Sequence, residues 1–368
     1  MSNEVNYKEN ENSYFQYLGH KASVLQTSKS LFVIFVILFI DIISLALSWI
    51  FVGNRSGNAL FSDVLNSINE NLLLLIILMG AVGYFVKSFF DYLVLVKRTK
   101  QKKYFAILSS NIRSDFFNHC TIGFNNAEAV KMSRLCESSV ADSISMEITF
   151  AEKISAKIFR LMYMFVGLVA FGAFFINMVP LWIYIVSIVA YIFNFVSMLP
   201  YLLFNKHREK IIEFCAKIIK ILYSLRLIKD YELCFRNTID KLYLYSSSLK
   251  RNKRALWFGI IKCFVSDVIE CLVIYFSISL LNFGGGKIII SVLLSYVVFK
   301  SINTCFDWCG SVLIYELMYL LIFETLYCSG YVVWGLILSR FVEFYMVVVI
   351  YLIELLLSKI FISKKRVS

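Results

Sequence analysis

Asp41, Lys87, Asp91, Lys262, Asp267, Glu270, Lys300 and Asp307 stand inside long apolar runs of this sequence. A charge in hydrocarbon is costly, so such groups pair with one another, face a cavity or carry ions. Lys87 and Asp91 are four residues apart, where side chains meet on one helix face, so a structural pair is the first reading and a transport site the second. Asp41 has no partner nearby in sequence and is a candidate to face a cavity. Asp267 and Glu270, three apart, share a face, while Lys262 reads as reaching back toward the inner surface. Asp41, Lys87, Asp91, Asp267 and Glu270 are therefore the cavity candidates.

Other chemistries have weaker footing. His20, His119 and His207 all fall outside the apolar runs, which argues against a buried histidine relay, and no Ser-His-Asp constellation can be assembled. Cys305 and Cys309 lie one helical turn apart without a histidine or second cysteine pair, so they read as packing residues and no metal site is expected. Aromatic stripes such as Phe174, Phe175, Phe193, Phe195, Tyr275 and Phe276 read as lipid-facing or core residues, compatible with a large apolar substrate. No catalytic residue and no cofactor are expected in this chain.

The elements that must position these residues are helices in a membrane. The 368-residue chain is 59% hydrophobic and has two prolines. A bilayer core of roughly 30 Å needs about 20 apolar residues per helix. The runs 31–52, 72–96, 158–179, 181–204, 255–281 and 288–306 meet that length. They are continuous rather than alternating, which favours helices over a barrel. The net charge of +12 is concentrated in blocks beside apolar ends, Lys97 to Lys103, Lys206 to Lys210 and Lys250 to Arg254. That is the pattern of inner borders rather than of a nucleic-acid surface. The expectation is a multi-pass protein of a cell membrane, a bacterial inner membrane in the first instance. Residues 1–30 form a cytoplasmic lead-in and the first span is retained.

Two polar, basic excursions, 97–157 and 205–254, separate these pairs of spans. In the first, Tyr104, Ile107, Leu108, Ile112 and Phe116 have helical spacing, so the second span is expected to continue as one helix reaching on the order of 30 Å below the membrane. Asn118 to Asn126 reads as a turn. In the second, a stripe from Ile211 to Ile228 and another from Phe235 to Leu249 flank a break at Asp230 and Tyr231. The tail, 311–368, is apolar but carries Glu316, Glu324, Arg340, Glu343 and Glu354. It reads as a helical hairpin of 311–328 and 332–357; the alternatives are that 332–357 alone spans, or that 311–328 is a cytoplasmic continuation of the sixth helix.

The order of two spans, arm, two spans, arm, two spans resembles the transmembrane domain of a type 1 ABC exporter. Within the stretch Phe116 to Ile144, Ser133-Arg134-Leu135 resembles the triplet after the family's first coupling turn. Leu222 to Arg254 is similar to its second arm, and Gly284-Gly285-Gly286 followed by Ile290 to Lys300 is similar to its outer turn and sixth span. The branch most similar is that of bacteriocin and microcin exporters, which process double-glycine leaders. The sequence departs from that family where Ala129, Val130 and Lys131 replace a glycine. No G-x-x-x-x-G-K-[ST] motif is found, Gly286-Lys287 being the nearest approach, and residues 1–30 offer no peptidase cysteine.

The fold class expected is all-α: a six-helix exporter-like domain over 31–310 with long cytoplasmic extensions, followed by a hydrophobic C-terminal extension. The resemblance implies a homodimer, or a heterodimer with a related exporter, moving a peptide or other amphipathic compound. ATP and Mg would then be bound by a separate soluble subunit docking on His119, Gly123, Phe124, Asn125, Asn126, Glu128, Ile228, Lys229, Asp230 and Tyr231. Two alternatives are an ion-coupled permease of the same fold, in which Asp41, Asp267 or Glu270 carries protons, and a non-transporting immunity or accessory protein paired with a complete exporter.

Overall fold

A computed structural model describes residues 28–55, 57, 59–120, 126–175, 177, 179–226, 230–251, 253–281, 289–305, 314–327 and 329–367. Among these residues there is no strand. Six helices are long and apolar enough to cross a membrane, and the chain is a multi-pass membrane protein. The helices are α1 (Ser28–Arg55), α2 (Phe61–Ser67), α3 (Glu70–Thr99), α4 (Tyr104–Cys120), α5 (Asn126–Glu137), α6 (Asp142–Phe175) and α7 (Leu181–Leu203). They continue with α8 (Arg208–Ser224), α9 (Tyr231–Arg251), α10 (Lys253–Leu280), α11 (Ile289–Asn303), α12 (Ile314–Tyr327), α13 (Val332–Arg340), a π-helical turn (Phe341–Tyr345) and α14 (Met346–Val367). Phe39, Val82, Phe165, Val189, Phe193 and Leu352 point outward, more than half exposed or close to it. In water such a surface would drive association; in lipid it is the expected boundary.

Helix α10 is the axis of the bundle, packed on α3 and α6. It comes so close to α6 at Gly259 that an added Cβ would lie 2.0 Å from Ser155 Oγ. Small residues at such crossings let backbones approach without lipid between them.

The first excursion is not an extended arm. Helix α3 ends at Thr99 with Lys100 in the left-handed region (φ 58°), its N–H bonded to the Val96 carbonyl. Thr99 Oγ1 accepts from the Gln101 N–H and stabilises the turn. The stripe of Ile107, Ile112 and Phe116 then turns inward: Ile107 packs with Val94 and Leu95, and Phe116 with Tyr84. Helix α4 thus runs back along the C-terminal half of α3, and α5 returns beside it. Burying that apolar face against existing helices is more favourable than holding it in water.

The sixth expected span is also different. Residues 288–306 yield only α11, Ile289–Asn303, about 22 Å at 1.5 Å per residue and short of a bilayer core. It pairs with the equally short α12: Ser291 bonds Tyr327 and Phe299 packs on Tyr315. The sixth long apolar helix lies instead in the tail, Val332–Leu356. Helices α12 and α13 form an antiparallel hairpin, with Arg340 against Glu316. At its turn the Ala59 N–H donates to Gly330 O (3.4 Å) and Trp334 Nε1 to Ala59 O (3.1 Å), which joins the tail to the α1–α2 connection.

A Cβ on Gly330 would stand 2.0 Å from the Gly57 carbonyl oxygen, a backbone atom that cannot rotate away. Gly330→Ala is expected to cost about 1–3 kcal/mol, read as a lowered thermal unfolding midpoint in detergent; an unchanged midpoint would show that the two connections do not meet.

Candidate functional site

The bundle holds a cavity of about 250 Å³ walled by α3, α4, α6, α10, α11, α12 and the π-helical turn. Its lining includes Tyr84, Lys87, Asp115, His119, Arg160, Lys262, Glu270, Lys300 and Glu343. Counted from Leu280, Glu270 is about 15 Å and Lys262 about 27 Å along α10. The charges therefore form a ladder along this helix.

The lowest rung joins five elements. Asp91 of α3 accepts from Lys131 of α5 (2.8 Å) and Lys262 of α10 (2.7 Å), and both lysines also pair with Glu152 of α6. Asn111 of α4 donates to Asp91 Oδ2 (3.0 Å). Two cations and two anions cancel, which is what burial at this depth requires. On the next rung Arg160 holds Asp267 through two nitrogens, 3.1 and 3.2 Å, and Tyr163 donates to the same carboxylate (2.8 Å). Above it, Lys300 and Tyr296 both donate to Glu270 (2.6 Å each). A fourth group lies on the far side of the π-helical turn, where Arg340 meets Asp41 and Glu316.

All five cavity candidates are thus placed. Lys87 and Glu270 line the cavity, Asp91 and Asp267 lie directly behind its wall, and Asp41 is fully buried beside Arg340. Lys87 does not pair with Asp91: its ammonium sits 5.4 Å from the Tyr84 ring, because α5 and α10 deliver two lysines closer to the carboxylate. Lys262 does not reach for the surface, since Asp91 and Glu152 meet it inside. Asp307 and Cys309 lie outside the described residues, and Cys305 Sγ donates to the Ala190 carbonyl.

The expected docking residues are divided. Gly123, Phe124 and Asn125 lie outside the described residues, as do Ile228 and Lys229; Asn126 opens α5. His119 and Glu128 stand inside the body, not at an exposed tip: His119 faces the Phe344 ring, and Glu128 is paired with Lys153. They are there because α4 folds back. Asp230 is exposed and caps α9, accepting the Leu233 N–H (3.0 Å), with Tyr231 stacked on Phe235.

Sequence reasoning missed Lys131, Glu152, Arg160, Glu316, Arg340 and Glu343 as site residues. Lys131 and Glu152 sit in a polar excursion where a charge is unremarkable. Arg160 was readable, since it lies within an apolar run.

Burial pushes the His119 imidazole down to about 3, with Arg340 and Lys87 adding to the effect. Burial likewise raises the Asp115 carboxyl, opposed by Lys87 and Lys262. Between about pH 6.5 and 3 the unfolded chain binds a proton at His119 that the folded chain refuses. This contribution to stability is complete above about 6.5 and is lost as the pH falls toward 3. His119→Phe should therefore flatten the acid side of the thermal midpoint against pH. Asp91→Asn leaves two lysines short of charge and should cost about 3–5 kcal/mol; Asp91→Asn combined with Lys262→Met should recover part of the lost midpoint, and no recovery would show that the lysine is not its partner.

No family model, curated protein or solved structure matches the chain. Its own geometry gives a multi-pass helical membrane protein with a charge-lined cavity.

Proposed function

We propose that this chain is the membrane-spanning part of a transporter and that the cavity on α10 is its solute site. The observation that carries the reading is a polar space of about 250 Å³ inside a membrane bundle, lined by both signs of charge. Hydrophobic packing alone gives no reason to keep Lys87, Asp115, Arg160, Glu270, Lys300 and Glu343 around one space, where each charge is expensive. Mixed charge suits a small zwitterionic or polyvalent solute, for which displaced side-chain pairs exchange partners with the solute's own groups. The volume is below that of common drug-sized pockets and disfavours a peptide in this conformation. It therefore weighs against the double-glycine peptide expected from the exporter resemblance.

The test is binding and current. Reconstituted protein on a solid-supported membrane is challenged with jumps of amino acids, small polyamines and polyvalent organic anions. At least one class should give a current that Lys300→Met or Glu270→Gln abolishes while exposed Lys217→Met retains it. No current from any class, with unfolding midpoints intact and no ligand-dependent rise in midpoint, sinks the reading.

A second reading keeps an ATPase partner, favoured by the α8–α9 hairpin. One face of α8 is buried through Ile211, Cys215 and Ile219, while Phe214, Ile218 and Ile221 remain exposed. Such a two-faced helix is suited to a protein partner or the lipid interface. Transport that survives ATP depletion but collapses with an uncoupler selects the ion-coupled form; the reverse result selects the ATPase-driven form. Crosslinking from Asp230 to a soluble ATPase would add to the latter.

A further inference from the structure

Asp41 of α1, Glu316 of α12 and Arg340 at the end of α13 meet in a site where their relative exposures are 0%, 1% and 0%. Arg340 Nε donates to Glu316 Oε1, and its Nη2 lies 3.5 Å from Asp41 Oδ1. The Tyr345 hydroxyl donates to Asp41 Oδ2. The Arg340 guanidinium also lies 4.2 Å from the centre of the Tyr315 ring, which shields it from lipid. Two oxygens are left over: Asp41 Oδ1 and Glu316 Oε2 are buried and accept no hydrogen bond among the described residues. Asp41 Oδ1 and Glu316 Oε1 both lie against the same nitrogen, Arg340 Nη2, which brings the two carboxyls side by side.

One guanidinium cannot neutralise two carboxylates. With both ionised the trio carries a net negative charge in a dry site, which costs more than protonating one of them. A proton between the carboxyls removes that charge and gives the orphaned oxygens the donor they lack. The other ion pairs do not share this deficit, because Asp267 has Arg160 and Glu270 has Lys300. A metal cation is a poorer occupant, since it would sit beside the guanidinium.

We propose that Asp41 and Glu316 share one exchangeable proton held against Arg340, and that this is the coupling site of the transporter. Its existence rests on the geometry above; only its purpose rests on the transport reading. The winding of the chain supports it. Arg340 and Tyr345 are five residues apart, and on an α-helix of 3.6 residues per turn they would point to different sides. The π-helical turn Phe341–Tyr345, with its i to i+5 repeat, lets both reach Asp41. The same turn carries Glu343 into the cavity. Loss of the proton sets two carboxylates against each other at the junction of α1, α12 and α13, and the turn passes that strain to the solute site.

Other titratable groups stand at this junction or line the neighbouring cavity: Tyr345 on the turn bonds Asp41, and Tyr315 on α12, Glu343 on the turn, His119 on α4, Tyr84 and Lys87 on α3, Glu270 on α10 and Lys300 on α11 line the cavity. Isosteric variants separate them. Infrared spectra of the whole protein in lipid nanodiscs at neutral pH should contain a protonated-carboxyl C=O stretch that is weakened in both Asp41→Asn and Glu316→Gln but retains the same component in Glu343→Gln. The amides supply the same internal donor, so their unfolding midpoints should stay near that of the parent at neutral pH. A band unchanged in both variants, or one removed by sodium in place of potassium, overturns the proposal. So does a collapse of both midpoints, which would mean that both groups are ionised and needed as such. These readouts do not require transport, so a failed solute screen leaves the proton site to be decided on its own.

Discussion

Charge balance inside an apolar bundle is the constraint on which this structure depends. Asp91 of α3 is the point where it is most visible, because α4, α5 and α10 all send a side chain to it. Lys131 and Lys262 each bridge from that carboxylate to Glu152, so α6 is tied into the same node. At the effective dielectric of a partly hydrated interior such pairs contribute only modestly as net attractions, but breaking any one leaves a buried charge uncompensated. The node therefore specifies one arrangement of five helices more than it strengthens each contact.

The fold-back of α4 and α5 follows from two ordinary facts. Lys100 adopts a left-handed cap that ends α3, and the residues after it carry an apolar stripe with nowhere else to go. Once folded, the hairpin supplies Asn111, Asp115, His119 and Lys131 to the cavity wall and its border. It also brings Arg113 and Arg134 to Glu354 on α14, fastening the tail to the excursion. Phe116 stacks on Tyr351 at 4.0 Å in the same contact. An excursion that reads as an arm for an outside partner is thus occupied by partners from its own chain.

The tail has the complementary role. Helices α11 and α12 are each too short to span a bilayer, yet they bury Tyr315, Tyr319, Phe299 and Phe323 against one another. Short paired helices of this kind leave polar ends at depth, where Glu316 and Lys300 find Arg340 and Glu270. The π-helical turn then places Arg340 and Tyr345 on a surface that a regular helix would not let them share, while Glu343 between them faces the cavity.

The sequence by itself determined the solvent, the helical class and the six long apolar helices, the tail span included, because continuous apolar length is a local property; its one excess was the span expected over 288–306. It also marked Asp41, Lys87, Asp91, Asp267 and Glu270, since a charge in an apolar run is conspicuous wherever it ends up. It could not assign partners: Asp91 is 40 residues from Lys131 and 171 from Lys262, and Asp41 is 304 from Tyr345. The sequence spacing of Lys87 and Asp91 even suggested the wrong pair. The direction of the first excursion was equally undetermined, because an amphipathic stripe states that one face is buried and not against what. Only the tertiary structure decided that the stripe belongs to α3 and α14, since pairing and burial over such separations are properties of the packed bundle and not of any segment.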